Sequence, residues 1–529
     1  MPIRRAVAIE TAVTLALWLA LLGFGRSQLL RDPGTFWHTV LGEQILDQGG
    51  PVRVDPFSFT RPAAPYVDYE WLAELAMGAL YRLGGWDALL LVTSLVLAWT
   101  FGRVFGRLLQ AGLHALPAGL LLGLALAASS HQFHVRPLVI SMALLVWSYG
   151  LLVDVEAGRV PPRRLGWLVV VFVLWVNCHG GVLAGIGTVG LVCGGWAAAA
   201  LWPSLARRLQ LQPMRVQAVW LAPLLALACL ATVLVNPFGL AMPRIWMEIL
   251  ALPLPQLIQE HFPLDFSEPY AWYTLALAAV YLIVLLGTLG RRLRATWLLP
   301  LVWFGLALMR VRNAPLMALT AIVGLADMLP YCRWSGWLAA RGFFQAEAVE
   351  NAPSSGAGRR SWGETLLRCS PAMLLVLFLG IQAAGVRVPL VGSGWARWDS
   401  AYWPLELVPQ LQEAQQDVSA GGRIFNDLRL GGFVIYHAPR LKVFIDDRCD
   451  FYGRTMLLEY EKARTERPEM LADWQRQYGF RWALVVPDTP LDAWLAKRSA
   501  AQRNPASASK DRWQCVGRSP SGALYRLGP

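Results

Sequence analysis

The chain is short of charge. Of its 529 residues only 16% are charged, against roughly 25% in an ordinary soluble domain, while 56% are hydrophobic. A soluble globular protein of this length is thereby excluded. Lysine is almost missing: Lys442, Lys462, Lys497 and Lys510 are the only ones, so the formal net charge of +12 rests on arginine. Those arginines cluster at the ends of apolar runs rather than along one face of a soluble domain. That placement argues against nucleic acid as a partner and for membrane topology. Cysteine is sparse, with seven residues and no CxxC pair, and no metal motif is spaced in the sequence. Cys178, Cys193, Cys229 and Cys369 fall in or beside apolar runs and read as small core residues. Cys449 and Cys515 share the polar C-terminal stretch, where an oxidising compartment would let them pair. There is no internal repeat, so an inverted-repeat transporter gains no support.

What is there is a succession of apolar runs of roughly 17–22 residues, the length that crosses a hydrocarbon core of about 30 Å. About eleven are counted: 7–25, 86–106, 115–131, 137–154, 165–178, 181–202, 216–235, 270–289, 295–309, 314–330 and 369–386. The first follows two arginines and lacks a small-x-small cleavage site, so it reads as a retained span and not as a leader. Alternate connections collect arginine: Arg4, Arg5, Arg103, Arg107, the 159–164 cluster, Arg207, Arg208, Arg215, the 291–294 cluster, Arg333, Arg341, Arg359 and Arg360. The positive-inside rule puts these in the cytoplasm, with the N-terminus. The stretch 331–365 reads as a flexible cytoplasmic linker. An odd number of spans then leaves the C-terminal tail outside.

The expected fold is a polytopic α-helical membrane protein in a cell (inner) membrane, residues 1–389, followed by a small extracytoplasmic α/β domain, 390–529. In the tail, Arg423–Phe425, Phe433–Tyr436, Lys442–Ile445, RWALVVPD and ALYRLG are predicted strands, and Glu406–Gln416 and Thr455–Tyr478 predicted helices. Strands alternating with helices give an α/β fold.

The opposite face is where the ionisable variety lies. The first outer loop, 26–85, is acidic and aromatic: Thr35–Leu46 reads as a short helix capped near Asp32. Pro51–Pro65 is extended or turning, and Tyr69–Leu83 reads as an amphipathic helix lying in the interface. On the same face are the HQFHVRP, NCHGG and MRVRNAP turns and the 236–269 loop with Glu260, His261 and Asp265. Ionisable groups near a bilayer are functional candidates because they are costly to keep there.

The order of features resembles the GT-C superfamily of glycosyltransferases that use polyprenyl-phosphate sugars. A first span leads to an outer loop that begins with an acid, Asp32. A Pro-containing segment then leads to YVDYEWLAE, followed by many spans and an outer C-terminal domain. More narrowly, DPGTFWH, DPFSFT, EWLAE, WVNCHGG, NPFG, RNAPL, FNDLRLGGFVIY and VFIDDR are similar to phrases in bacterial proteins related to RgtA/B/C/D-like and family-39 transferases. The resemblance implies transfer of a sugar from a polyprenyl-phosphate donor to a hydroxyl of a lipid, glycan or protein acceptor. It implies Asp32 as general base. Arg310 and Arg312, with Arg136 as a further candidate, would clamp the phosphate, because guanidinium meets phosphate oxygens bidentately. His38, His179, Asp68 and Glu70 become candidates for substrate contact or for a divalent metal. The paired first-loop acids of protein O-mannosyltransferases are absent, since Pro33 follows Asp32. IDDR (Asp446–Arg448) follows a predicted strand, where α/β folds place ligand loops, or else forms a fold-stabilising Asp–Arg pair. The alternatives are a non-catalytic assembly protein on a degenerate transferase fold and a transporter or flippase, the latter expected to carry charges near the midplane of its spans.

Overall fold

A computed structural model describes residues 3–208, 210–211, 216–252, 258–290, 293–345, 362–386, 394–417, 421–500 and 513–528. Arg215, Arg291, Arg292, Arg359, Arg360, Lys510 and residues 346–361 of the expected linker lie outside this set. The chain is mostly helical, with a small sheet near the C-terminus. Among the described residues, seven helices are long and apolar enough to cross a membrane. They include α1 (Ile3–Phe24), α3 (Trp71–Gln110), α5 (Leu138–Glu156), α7 (Val182–Leu201) and α10 (Pro269–Leu286). The other two are α12 (Ala314–Met328) with its flanking turns and α13 (Trp362–Ala383). The remaining expected spans are shorter helices: α4 (Ala115–Ser129), α6 (Gly166–Val176), α8 (Val216–Ala231) and α11 (Leu299–Met309).

The first loop carries α2 (Gly34–Gln48), and the 236–269 loop carries α9 (Ala241–Ala251). α3 is two helical parts, residues 71–83 and 86–110, the second alone roughly 38 Å long and enough to cross a bilayer. It bends at Gly84 and Gly85, and Gly85 sits at φ +61, ψ −153, a conformation that only glycine adopts without strain. The part before the break, residues 71–83, is thus a helix of its own, as the amphipathic pattern over Tyr69–Leu83 predicted. It packs on α2 through facing glycines: a Cβ on Gly42 would fall 1.9 Å from the Glu74 carbonyl oxygen. The α1–α3 contact is of the same small-residue type, with Thr14 against Gly102 and Glu10 against Gly106.

The tail forms five strands, β1 (Arg423–Asn426), β2 (Lys442–Val443), β3 (Trp482–Val485), β4 (Trp513–Arg518) and β5 (Ala523–Leu527), in the order β2-β1-β3-β5-β4. β1 runs parallel to β2 and β3, and β5 pairs antiparallel with β3 and β4. β4 escaped the sequence pattern. Phe433–Tyr436, expected as a strand, lies instead in helix α14 (Gly431–His437). Its β-branched residues are all buried, and the close fit of Gly432 against the Pro33 carbonyl at the start of α2 decides the conformation over local propensity. The expected Thr455–Tyr478 helix is two, α15 (Cys449–Thr465) and α16 (Met470–Tyr478), parted around Pro468.

The first loop does not cap the bundle as a free connector. Phe36, Trp37, Leu41, Phe57 and Phe59 share one apolar core with Phe433, Val434, Phe444 and Trp482 of the tail. The 49–70 segment lies along the edge strand: Val443 donates its N–H to the Phe57 carbonyl at 2.9 Å and accepts from the Phe59 N–H at 3.2 Å. Arg448 ties the same join. It pairs with both oxygens of Asp446 at 2.8 and 2.7 Å and with Asp55 at 2.8 Å, beneath the rings of Phe57, Tyr66 and Phe451. The Asp–Arg pair of IDDR is thus a structural one. At the far end of the bundle Asp327 accepts from Arg159 at 2.6 Å, from Trp297 at 2.8 Å and from Arg294. Cys449 and Cys515 do not pair, and each is a thiol.

The α2–α3 contact is the join most sensitive to volume. Gly42→Val is expected to lower the unfolding midpoint in detergent by the equivalent of roughly 1–3 kcal/mol, the cost of overpacking. Gly50→Ala, where a Cβ meets nothing, serves as the neutral control.

Candidate functional site

A cavity of about 540 Å³ opens where the first loop, the helix ends and the carboxyl ends of the parallel strands meet. In open α/β sheets that strand edge is where ligand crevices form. Asp32, His38, Glu70, Arg136, His179 and Arg312 all line it, although they come from five separate stretches of chain. Arg310 and Asp68 do not. Arg310 is the residue after α11 and is half-buried, and Asp68 is fully buried behind the wall, beside Glu74.

Asp32 is held from two sides. Its Oδ1 accepts the Gly34 N–H at 2.8 Å, closing the first turn of α2, where Pro33 is already suited to helix entry. Its Oδ2 accepts from Arg136 Nη1 at 2.8 Å. The same Nη1 donates to Glu260 Oε1 at 2.5 Å, and Nη2 donates to Gln132. The turn that carries Arg136 is fastened to the loop: Val135 donates to the Leu29 carbonyl at 2.8 Å and accepts from the Thr35 hydroxyl at 2.9 Å. Burial would raise Glu260, but Arg136 and Arg312 outweigh it and hold the carboxyl at about 2. Arg312 has no carboxylate within 4 Å among the described residues; its Nη1 meets His261 Nε2 at 2.5 Å. Burial, then Arg312, lowers His261 to about 3, so its ring is a neutral acceptor for that guanidinium.

A second group lies deeper. His38 Nδ1 is 2.7 Å from Glu74 Oε1, and its Nε2 is 3.4 Å from Glu70 Oε2. The other oxygen of Glu70 is 3.4 Å from His179 Nε2. Trp175 donates to Ser141 Oγ at 2.7 Å, which leaves the Ser141 hydroxyl to donate to His179 Nδ1 at 2.8 Å. The Gly181 N–H points at the same Nδ1, also at 2.8 Å. His179 is therefore the Nε2–H tautomer, with its proton toward Glu70 and no lone pair there for a metal. Burial lowers His38 well below its ordinary value and takes His179 to about 3. Burial, then Asp450 and Asp68, raises Glu70 well above the carboxylate range, and burial takes Asp68 to about 6. The residues that could hold a divalent ion are His38, Glu70 and Glu74, one ligand atom of each lying within 4.8 Å of the others. The Glu74 and Asp68 carboxyls lie against each other, a contact that a shared proton or a hard cation bridges, so the donor set fits such a cation.

The tail supplies the remaining wall. Trp37 donates to Asp447 Oδ1 at 2.8 Å. Burial, then Asp32 and Asp446, pushes Asp447 well above the carboxylate range, and burial takes Asp450 to about 6. Arg429 stacks over Tyr402 at 4.8 Å and, like Arg312, has no carboxylate within 4 Å among the described residues. Its Nε and that of Arg136 are buried without partners. The cavity thus places guanidinium groups with no carboxylate in direct contact near carboxyls whose environments differ, a combination suited to an anionic substrate and to proton transfer.

Glu74, Arg429 and Asp450 were not given a role from the sequence; Glu260 and His261 were candidates only through their side of the membrane, and Asp447 only through its place in IDDR after a predicted strand. Arg429 had only the turn that follows β1 as a signal. No protein-family model matches the chain, and no curated protein is significantly similar to it.

The buried acids make stability pH-dependent. The folded-state value of Asp68 is raised, so its contribution is full below the unfolded value near 4 and is lost as pH rises through about 6. Asp68→Asn removes that loss. Between about pH 4 and about pH 8 the variant is expected to gain on the wild type by on the order of 2–3 kcal/mol, read from unfolding midpoints against pH.

Proposed function

We propose that the chain is a membrane glycosyltransferase, moving a sugar from a polyprenyl-phosphate carrier to an acceptor hydroxyl at the non-cytoplasmic face of the membrane. The observation that carries the reading is the single cavity in which Asp32, bonded to Arg136, faces Asp447 while Arg312 and Arg429 lack carboxylate partners. The leaving phosphate would bind Arg312 and Arg136. In doing so it competes with Asp32 for Arg136 and frees a carboxylate oxygen. Asp32 then takes the acceptor's proton as the acceptor oxygen bonds to the anomeric carbon. The bond from that carbon to the phosphate oxygen breaks, and its electrons leave on the carrier phosphate, stabilised by the guanidiniums. Asp447, kept neutral by burial and by Asp32, donates a hydrogen bond to a sugar or phosphate oxygen. The membrane helices give a lipid carrier its path, and the strand ends give the polar acceptor its bed.

A second reading rests on the double engagement of Asp32. An ion triad with Glu260 is also a way of clamping the first loop to the bundle without any chemistry, as an assembly protein would need. Transfer of labelled sugar from a panel of polyprenyl-phosphate donors by the purified chain separates the two. The transferase reading expects turnover, reduced roughly 10²–10⁴-fold in Asp32→Asn. Equal turnover in that variant removes Asp32 as base, and no turnover from any donor favours the clamp.

A further inference from the structure

The Glu70 side chain is only 11% exposed, yet its carboxyl makes no hydrogen bond among the described residues. A carboxyl so enclosed needs a partner. Its two oxygens face two ring nitrogens, His38 Nε2 and His179 Nε2, each at 3.4 Å. The two contacts differ in kind. His179 keeps its Nδ1 lone pair for the Ser141 hydroxyl and the Gly181 N–H, so its Nε2 carries the proton. His38 is engaged from the opposite side. Its Nδ1 donates to Glu74 Oε1 at 2.7 Å, which turns the Nε2 lone pair toward Glu70 Oε2. A hydrogen bond between those two atoms would close to roughly 2.7–3.0 Å. At 3.4 Å they match the spacing of two ligands on one ion. Arms of about 2.0–2.1 Å at a tetrahedral angle set their ends roughly 3.3–3.4 Å apart. Charge favours the same place. Asp68, Glu70 and Glu74 have no guanidinium within 4 Å among the described residues, because Arg136 is taken by Asp32 and Glu260, and Arg448 by Asp446 and Asp55.

We propose that His38 Nε2 and Glu70 Oε2 hold a single divalent cation of the zinc class, with Glu74 orienting the imidazole and the remaining positions open to the cavity that both ligands line. A carboxylate on the far nitrogen is the usual companion of a ligating histidine, since it fixes the tautomer and the ring plane. The imidazole moves the preference away from magnesium and calcium toward zinc and its neighbours. His179, whose proton faces Glu70, stays outside the ion. The site rests on its own ligands and does not depend on sugar transfer.

Titration of the purified full chain, stripped with a chelator and carrying no affinity tag, with cobalt, zinc and magnesium tests it. Cobalt is expected to bind as one ion per chain, to give the visible absorption of a tetrahedral site and to be displaced by zinc. Magnesium is expected to bind at least roughly tenfold more weakly. Glu70→Gln leaves the His38–Glu74 bond intact, so its fold is retained. That variant and His38→Gln are each expected to weaken cobalt at least roughly a hundredfold, and Glu74→Gln about tenfold. His179→Gln is expected to leave the absorption unchanged. No cobalt absorption in the wild type, affinity undiminished in Glu70→Gln, or a signal that depends on His179 and not on His38 overturns the site. Equal affinity for magnesium overturns the class of ion.

Discussion

One guanidinium joins three parts of the chain. Arg136, on the turn before α5, is shared by Asp32 at the mouth of α2 and by Glu260 of the 236–269 loop. Burying a charge of this kind is tolerated only when its partners are in place, because a lone ion in such a setting costs several kcal/mol. The triad thus fixes where α2 begins, and α2 is the element on which the tail packs: Phe36 and Trp37 reach into the C-terminal core, and Gly432 rests on Pro33. Bundle, loop and sheet meet at that point, and the cavity is the space they leave.

Within that space, burial sorts the titratable groups. Glu260, beside two guanidiniums, is held ionised, whereas burial, with acids for neighbours, pushes Glu70 and Asp447 up toward the neutral form. The cavity is roofed by polar tail residues, and its acids stand among Arg136, Arg312, Arg429 and Arg448.

Much of this was legible in the sequence. The first-loop acid, the HVRP arginine, the histidines at 38 and 179 and Glu70 were readable because ionisable residues beside apolar runs stand out against their cost. What was not legible depends on distance or on one turn of backbone. Asp447 and Arg429 line one cavity with Asp32 from some 400 residues away, and no local pattern encodes that. Arg310 and Arg312 are indistinguishable in MRVRN, yet the single 3-10 turn at Val311–Asn313 puts one into the cavity and leaves the other at the helix end. Asp68 and Glu70 alternate in the same way, one behind the wall and one in it. Phe433–Tyr436 has the composition of a strand, and the contact with α2 makes it a helix.

The claim at the centre is that the cavity takes the phosphate of a lipid carrier. Equilibrium binding of a short-chain polyprenyl monophosphate to the purified full chain measures it most directly. The expected result is saturable binding that Arg312→Ala weakens roughly tenfold and Gly50→Ala, where a Cβ meets nothing, does not change. Binding that is absent in the wild type, or undiminished in Arg312→Ala, would contradict it.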